Sequence, residues 1–294
     1  MTNLMKMMSL RNLNCFSVVP VVFMLAFLFS GANPAHADGQ LYLSTGSIGA
    51  QGSLYMVDTD TAATTYVGPA DGDGLALSGA PQTFLYNSLS LTDDPDTGRL
   101  SRAETNGSGA TQLTIIQGDA DRGLAYNTSN GLLYGTDNEW FGIINPSTGA
   151  FTPLKSPAEV PIGKEAEALA ADPNNNRIYG LTNDSPAYLI FYNIATDTWS
   201  EVGQTGNIDG GKGGLAFDPT SNILYGADND GHLYRINPAT AEDTFIGHTE
   251  IDTSVGLTFV PEPEPIPSIS QWGMILLSLL VAGLAVMRIK RRRA

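Results

Sequence analysis

The chain has 294 residues, 42% of them hydrophobic and only 15% charged, with 32 glycines, 17 prolines and a formal net charge of −15. All 30 acidic residues but only 8 of the 15 basic ones lie between Asp38 and Glu264, so that span carries −22. Such a charge speaks against nucleic-acid binding, which takes its affinity from a basic footprint. It fits divalent cations, basic partners or plain solubility outside the cytoplasm.

Residues 1–37 read as a secretory signal peptide. Lys6 and Arg11 form a positive n-region, Phe16–Phe29 is an apolar core interrupted by Pro20, and Ala35-His36-Ala37 is a small-x-small cleavage site. The only cysteine, Cys15, precedes the apolar core and leaves with the leader. The mature chain therefore has no thiol and no disulfide, although it enters a compartment that permits them.

From Asp38 to about Val260 no apolar 3.6-residue period survives past two turns, while Gly, Pro, Asn, Asp, Ser and Thr recur every few residues. Short strands alternate with turns instead. The clearest unit runs from Gly214 to Gly247: a small-residue strand Gly214–Phe217 stopped by Asp218-Pro219, then Ile223–Ala227, His232–Ile236 and Glu242–Ile246. Proline cannot donate to a strand ladder, and Asp228-Asn229-Asp230-Gly231 tolerates positive φ. Similar units start at Gly123 and Ala168, with a looser one at Gly74. The leucines of the opening strands fall at Leu75, Leu124, Leu169, Leu215 and Leu257, in steps of 49, 45, 46 and 42. Four strands per 40–50 residues is the size of a propeller blade. The last opener, Gly256–Phe259, has no blade behind it, whereas the body begins with Leu41–Leu43, Ser53–Asp58 and Thr64–Gly68, three strands lacking a first. Pairing the two removes the open edge. The prediction is an all-β, five-bladed β-propeller over 38–260.

Beyond it, Pro261-Glu262-Pro263-Glu264-Pro265-Ile266-Pro267 reads as a stiff extended spacer. Trp272, the uncharged run Met274–Val286 and the cluster Arg288, Lys290, Arg291, Arg292, Arg293 predict a single transmembrane helix. Basic residues prefer the cytoplasmic side, so the C-terminus faces inward and the propeller outward.

The segment Ile266-Pro267-Ser268-Ile269-Ser270-Gln271-Trp272-Gly273, followed by the apolar run and basic end, resembles an IPTL-type C-terminal protein-sorting signal. Ile266, Pro267, Trp272 and Gly273 match that family's pattern, while Ser268 and Ile269 stand where it has Thr and Leu. The resemblance covers about the last 30 residues. It implies a Gram-negative surface protein processed by an exosortase, a membrane-embedded cysteine transpeptidase-like enzyme acting near 266–273. These residues would then belong to a substrate and not to a catalytic site. The chain would pass through the inner membrane before reaching the cell surface or exterior. A permanent single-span anchor needs only the helix and the positive end, and would make the propeller a periplasmic receptor. The body resembles secreted repeat propellers in architecture alone, and that fold hosts binding modules and enzymes alike.

The mature chain offers little conventional chemistry. His232 and His248 are its only histidines, neither at a metal-ligand spacing, and Gly107-Ser108-Gly109 lacks the strand-to-helix setting of a nucleophile elbow. His232 reads as a solvated or edge residue. Acids precede each opener: Asp71 and Asp73, Asp119 and Asp121, Glu165 and Glu167, Asp209, and Asp252. Near one mouth of a central channel they would be solvating charges, oxygen ligands for Ca²⁺, or a carboxylate pair for glycoside hydrolysis. The tyrosines Tyr42, Tyr55, Tyr86, Tyr134, Tyr179, Tyr225 and Tyr234 recur at equivalent strand positions and predict packing between blades. These readings favour a non-enzymatic surface module with an unknown surface ligand and no required cofactor.

Overall fold

The computed structural model describes residues 39–47, 50–70, 74–77, 84–91, 94–117, 123–136, 140–160, 165–209, 213–251, 255–262, 275–281 and 288. The leader, with Ala35 and Ala37, lies outside them, as do the sorting residues Ile266, Pro267, Ser268, Ile269, Trp272 and Gly273.

Among the described residues the strands form five four-stranded antiparallel sheets. Blade one takes three strands from the start of the body: β1 (Gln40–Ser47), β2 (Ala50–Val57) and β3 (Thr64–Ala70). Blade two is β4 (Gly74–Leu77), β5 (Phe84–Leu91), β6 (Asp94–Glu104) and β7 (Ala110–Gln117). Blade three is β8 (Gly123–Asn127), β9 (Leu132–Thr136), β10 (Phe141–Ile144) and β11 (Phe151–Lys155). Blade four is β12 (Ala166–Asp172), β13 (Arg177–Thr182), β14 (Tyr188–Asn193) and β15 (Thr198–Gln204). Blade five is β16 (Gly214–Asp218), β17 (Ile223–Ala227), β18 (His232–Ile236) and β19 (Asp243–His248). The last strand, β20 (Val255–Val260), returns to blade one and pairs with β1 from Gln40↔Val260 to Thr45↔Val255. The predicted closure is thus present.

The openers β4, β8, β12, β16 and β20 lie side by side around the centre, and β20 meets β4 to complete the circle. Their glycines permit this approach. A Cβ on Gly214 would sit 2.6 Å from the Leu257 backbone nitrogen, and one on Gly123 would sit 2.6 Å from the Glu167 carbonyl oxygen. Both obstacles are backbone, which cannot step aside.

Neighbouring blades lock together at the turn between third and fourth strands. Asp58, Asn145, Asn193 and Asn237 each accept N–H bonds from residues two or three further on. Such Asx turns explain the recurring Asn-Pro-x-Thr pattern. Each turn then carries a residue of positive φ: Ala62 (61°), Gly149 (73°), Asp197 (54°) and Ala241 (62°), and the blade-two turn has Gly107 (79°). All five rest on the fourth strand of the preceding blade. A Cβ on Gly247 would lie 3.1 Å from that of Ala62, and one on Gly203 would lie 3.5 Å from that of Ala241. Gly107 and Gly149 leave no room for a side chain against the carbonyls of Val67 and Ile115. Asp197 reaches Lys155 Nζ at 3.0 Å.

The outermost strands carry a second repeated device. In every blade the third and fourth strands slip by one residue, leaving Val67, Leu113, Leu154, Val202 and Ile246 as the extra residue of a β-bulge. A bulge on an edge strand twists it out of register for pairing with another chain.

The recurring tyrosines do pack between blades. Tyr86 meets Tyr126 at 5.8 Å, Tyr179 meets Phe217 at 5.8 Å, and Tyr225 stacks on Phe259 at 6.2 Å between ring centroids. In each case a second strand contacts the opener of the next blade. Burial raises the phenol pKa of Tyr42, Tyr86, Tyr134, Tyr179 and Tyr225, and Tyr234 is pushed up to about 12 by burial and then by Asp228, Asp243 and Asp230. A raised folded-state pKa favours the neutral phenol in the folded chain. Its contribution to stability is complete below the ordinary tyrosine value of about 10 and is lost as pH climbs toward the folded value. The denaturant midpoint should therefore fall steadily above pH ~10, in step with tyrosinate absorbance. A midpoint that holds while tyrosinate absorbance rises would contradict this.

Candidate functional site

Every opener runs in the same direction, so the propeller has two unlike faces. At the C-terminal ends of the openers, Thr128, Pro173, Pro219 and Pro261 surround a cavity of about 90 Å³ whose walls include Tyr126, Leu169, Phe217 and Phe259. The hairpins there are closed by carboxylates and amides turned onto their own backbone. Asp172 and Asp218, both buried, accept N–H bonds from Asn174 and Asn175 and from Thr220.

The opposite mouth receives the acids that precede the openers. Glu165, Glu167 and Asp209 are described, whereas Asp71, Asp73, Asp119, Asp121 and Asp252 lie outside the described residues. Glu167 is the extra residue of a bulge between Ala166↔Thr182 and Ala168↔Leu181, and it is only 4% exposed. Glu165 and Asp209 are half-buried. The loops that hold them are tied to the turn between the second and third strands of blade four. The Glu165 carbonyl accepts from Asn183 N–H, and Ala187 N–H donates to the Ile208 carbonyl at 2.9 Å. The Asp243 carboxylate in blade five accepts from the N–H groups of Asn207 and Ile208. Among the described residues, no three His, Cys, Asp or Glu side chains converge as a metal site.

His232 stands at the start of β18 with its side chain partly exposed. It is half-buried, with Nδ1 at 3.0 Å from Oδ2 of Asp228, a carboxylate only 3% exposed. Asp228 also accepts from the N–H groups of Asp230 and His232, which closes the loop. The β18–β19 ladder sets His232 opposite His248, with ring centroids 5.4 Å apart, and Phe245 flanks His232 at 5.7 Å. Fifteen residues lie between the two histidines in sequence. Only the strand-to-strand register, bulge included, reveals the pair.

Beyond β20, residues 275–281 are helical and expose Ile275, Leu276, Leu277, Leu279, Leu280 and Val281. Among the described residues no helix is long and apolar enough to cross a membrane.

No curated protein sequence matches the chain. Among solved structures, a chain of a nidogen/laminin complex is similar, with 13% identity, a TM-score of 0.52, and coverage of 76% of this chain and 99% of that one. TolB from Acinetobacter baumannii is also similar, at 13% identity and a TM-score of 0.45, over 75% of this chain and 57% of that one. At 13% identity, the first of these likenesses speaks to fold alone. The C-terminal comparison is of a different kind: residues 264–293 match the IPTL-CTERM motif. The chain is a five-bladed propeller that carries an IPTL-CTERM motif directly behind the strand that closes its ring.

Proposed function

We propose that this protein is an exported, non-enzymatic surface module that displays a rigid propeller for binding, and that its C-terminal segment is held in the inner membrane until an exosortase-like enzyme processes it. The supporting observation is continuity. The closing strand ends at Val260 and the matched motif begins at residue 264, so the sorting segment is reached only through the strand that completes the fold. The exposed apolar face of residues 275–281 suits burial in lipid. The lack of a cysteine after residue 37 leaves the mature chain without a thiol nucleophile of its own. The ligand of the displayed propeller is a surface component of the cell or its surroundings.

Intact mass from separated inner-membrane and surface fractions of the native host tests this. The expected surface species begins at Asp38 and has lost the helix and basic tail, and any added mass identifies what it is joined to. A single species ending at Ala294 and confined to the inner membrane would replace sorting with a permanent anchor and a periplasmic receptor.

A further inference from the structure

Both ends of the propeller leave from one face. Because Gln40 pairs with Val260, the chain enters the fold next to where it exits, and Pro261 lies at the channel mouth with Pro173 and Pro219. The tether therefore leaves near the axis, not from the rim.

The two faces also differ in charge. On the tether face, the turns 128–131, 173–176 and 219–222 contain only Ser, Thr, Asn, Pro and Gly. Glu262 directly follows Pro261 there, whereas the turns between third and fourth strands stand at the rim, where the Asp243 carboxylate meets Asn207 and Ile208 and Lys155 meets both Asp197 and Glu159. The opposite face presents Glu165, Asp184, Asp209, Asp230 and Glu250 on loops joined by the Asn183–Glu165 bond and the Thr249–Gly231 bond. A five-residue opener spans about 17 Å at ~3.3 Å per residue. That is about twice the ~8 Å over which salt screens a charge. Turning the acidic face toward an anionic bilayer is thus opposed by repulsion from those five carboxylates, whereas turning the tether face toward it brings Glu262 close in their place.

We infer that, resting on the membrane-held form proposed above, the propeller stands with its Pro173/Pro219/Pro261 face toward the bilayer and presents the face of Glu165, Asp209 and Asp230 outward. Partners therefore meet the acidic face first, and the channel mouth lined by Phe217 and Phe259 is turned toward the lipid. The chain between Glu262 and residue 275 can reach at most about 45 Å when fully extended, so the tether face stays within that distance of the apolar helix.

The mature chain has no cysteine, so single-cysteine variants report position without background. Thr220→Cys and Thr128→Cys mark the tether face and Asp230→Cys the other. All three positions are exposed. Each full mature chain, Asp38 to Ala294, is labelled with a donor dye and reconstituted in phosphatidylethanolamine–phosphatidylglycerol vesicles carrying an acceptor lipid. Energy transfer should be at least twofold stronger from Thr220→Cys and Thr128→Cys than from Asp230→Cys. Equal transfer from all three, or stronger transfer from Asp230→Cys, in chains that float with the vesicles would overturn the orientation while leaving membrane attachment standing. Chains that do not float would overturn the attachment and the orientation with it.

Discussion

A chain ending at Ile251 will fail to unfold cooperatively, whereas one ending at Glu262 will melt as the complete propeller does. The difference is β20. Without it, β1 loses its ladder partner over Gln40–Thr45, and the openers β16 and β4 each lose the neighbour that closes the central circle. Leu257 and Phe259, 2% and 5% exposed, go with it, and Tyr225 loses the ring it stacks on. Two such side chains account for about 3–6 kcal/mol of burial, before the ladder is considered, against a total stability of roughly 5–15 kcal/mol for a domain. The freed edges of β1 and blade five would also invite association. Urea unfolding followed by circular dichroism, with light scattering alongside, checks both forms. A sharp transition of unchanged slope in the chain ending at Ile251 would show that four blades stand alone and that β20 is an accessory. The same logic orders folding: the propeller cannot close until the residues just ahead of the matched C-terminal motif are available to pair with β1.

The second large effect is expected inside blade three. Phe141 is 3% exposed and stacks on Tyr134 at 5.7 Å, while Tyr192 and Trp199 from blade four approach it at 4.8 and 4.9 Å. It is the point at which two blades share one aromatic cluster. Phe141→Ala should cost about 3–5 kcal/mol, the range for removing a buried aromatic ring whose walls cannot collapse. Phe245→Ala, at a ring 55% exposed on an outer strand, should cost under about 1 kcal/mol. Denaturant midpoints of the two variants give the comparison, and similar losses would mean that the cluster is not what holds blades three and four together.

Much of the fold was legible in local chemistry. Asp218-Pro219, Asn237-Pro238 and Asp228–Gly231 mark turns because their residues bond to their own backbone or accept positive φ, and the structure uses them so. The orphan opener Gly256–Phe259 and the three-stranded start make closure legible in the sequence. The repeating tyrosines carried the packing between blades. The candidate site was less legible. Asp228 and Asp209 look alike as letters, but Asp228 is buried in a loop of its own making and Asp209 stays half-exposed. The His232–His248 pair depends on a register that a one-residue slip would undo.

What the sequence determined by itself was everything set within a few residues: strands from alternation, turns from Asx and proline chemistry, the repeat and hence five blades, and the motif at 264–293. The tertiary structure alone decided what depends on a partner far along the chain. The bulges at Val67, Leu113, Leu154, Val202 and Ile246, the seating of Ala62 on Gly247 and of Ala241 on Gly203, and the burial of Glu167 all follow from which neighbour lies opposite. The reason is range. Backbone preference acts over about one turn of chain, whereas register and burial are settled by packing between residues dozens of positions apart.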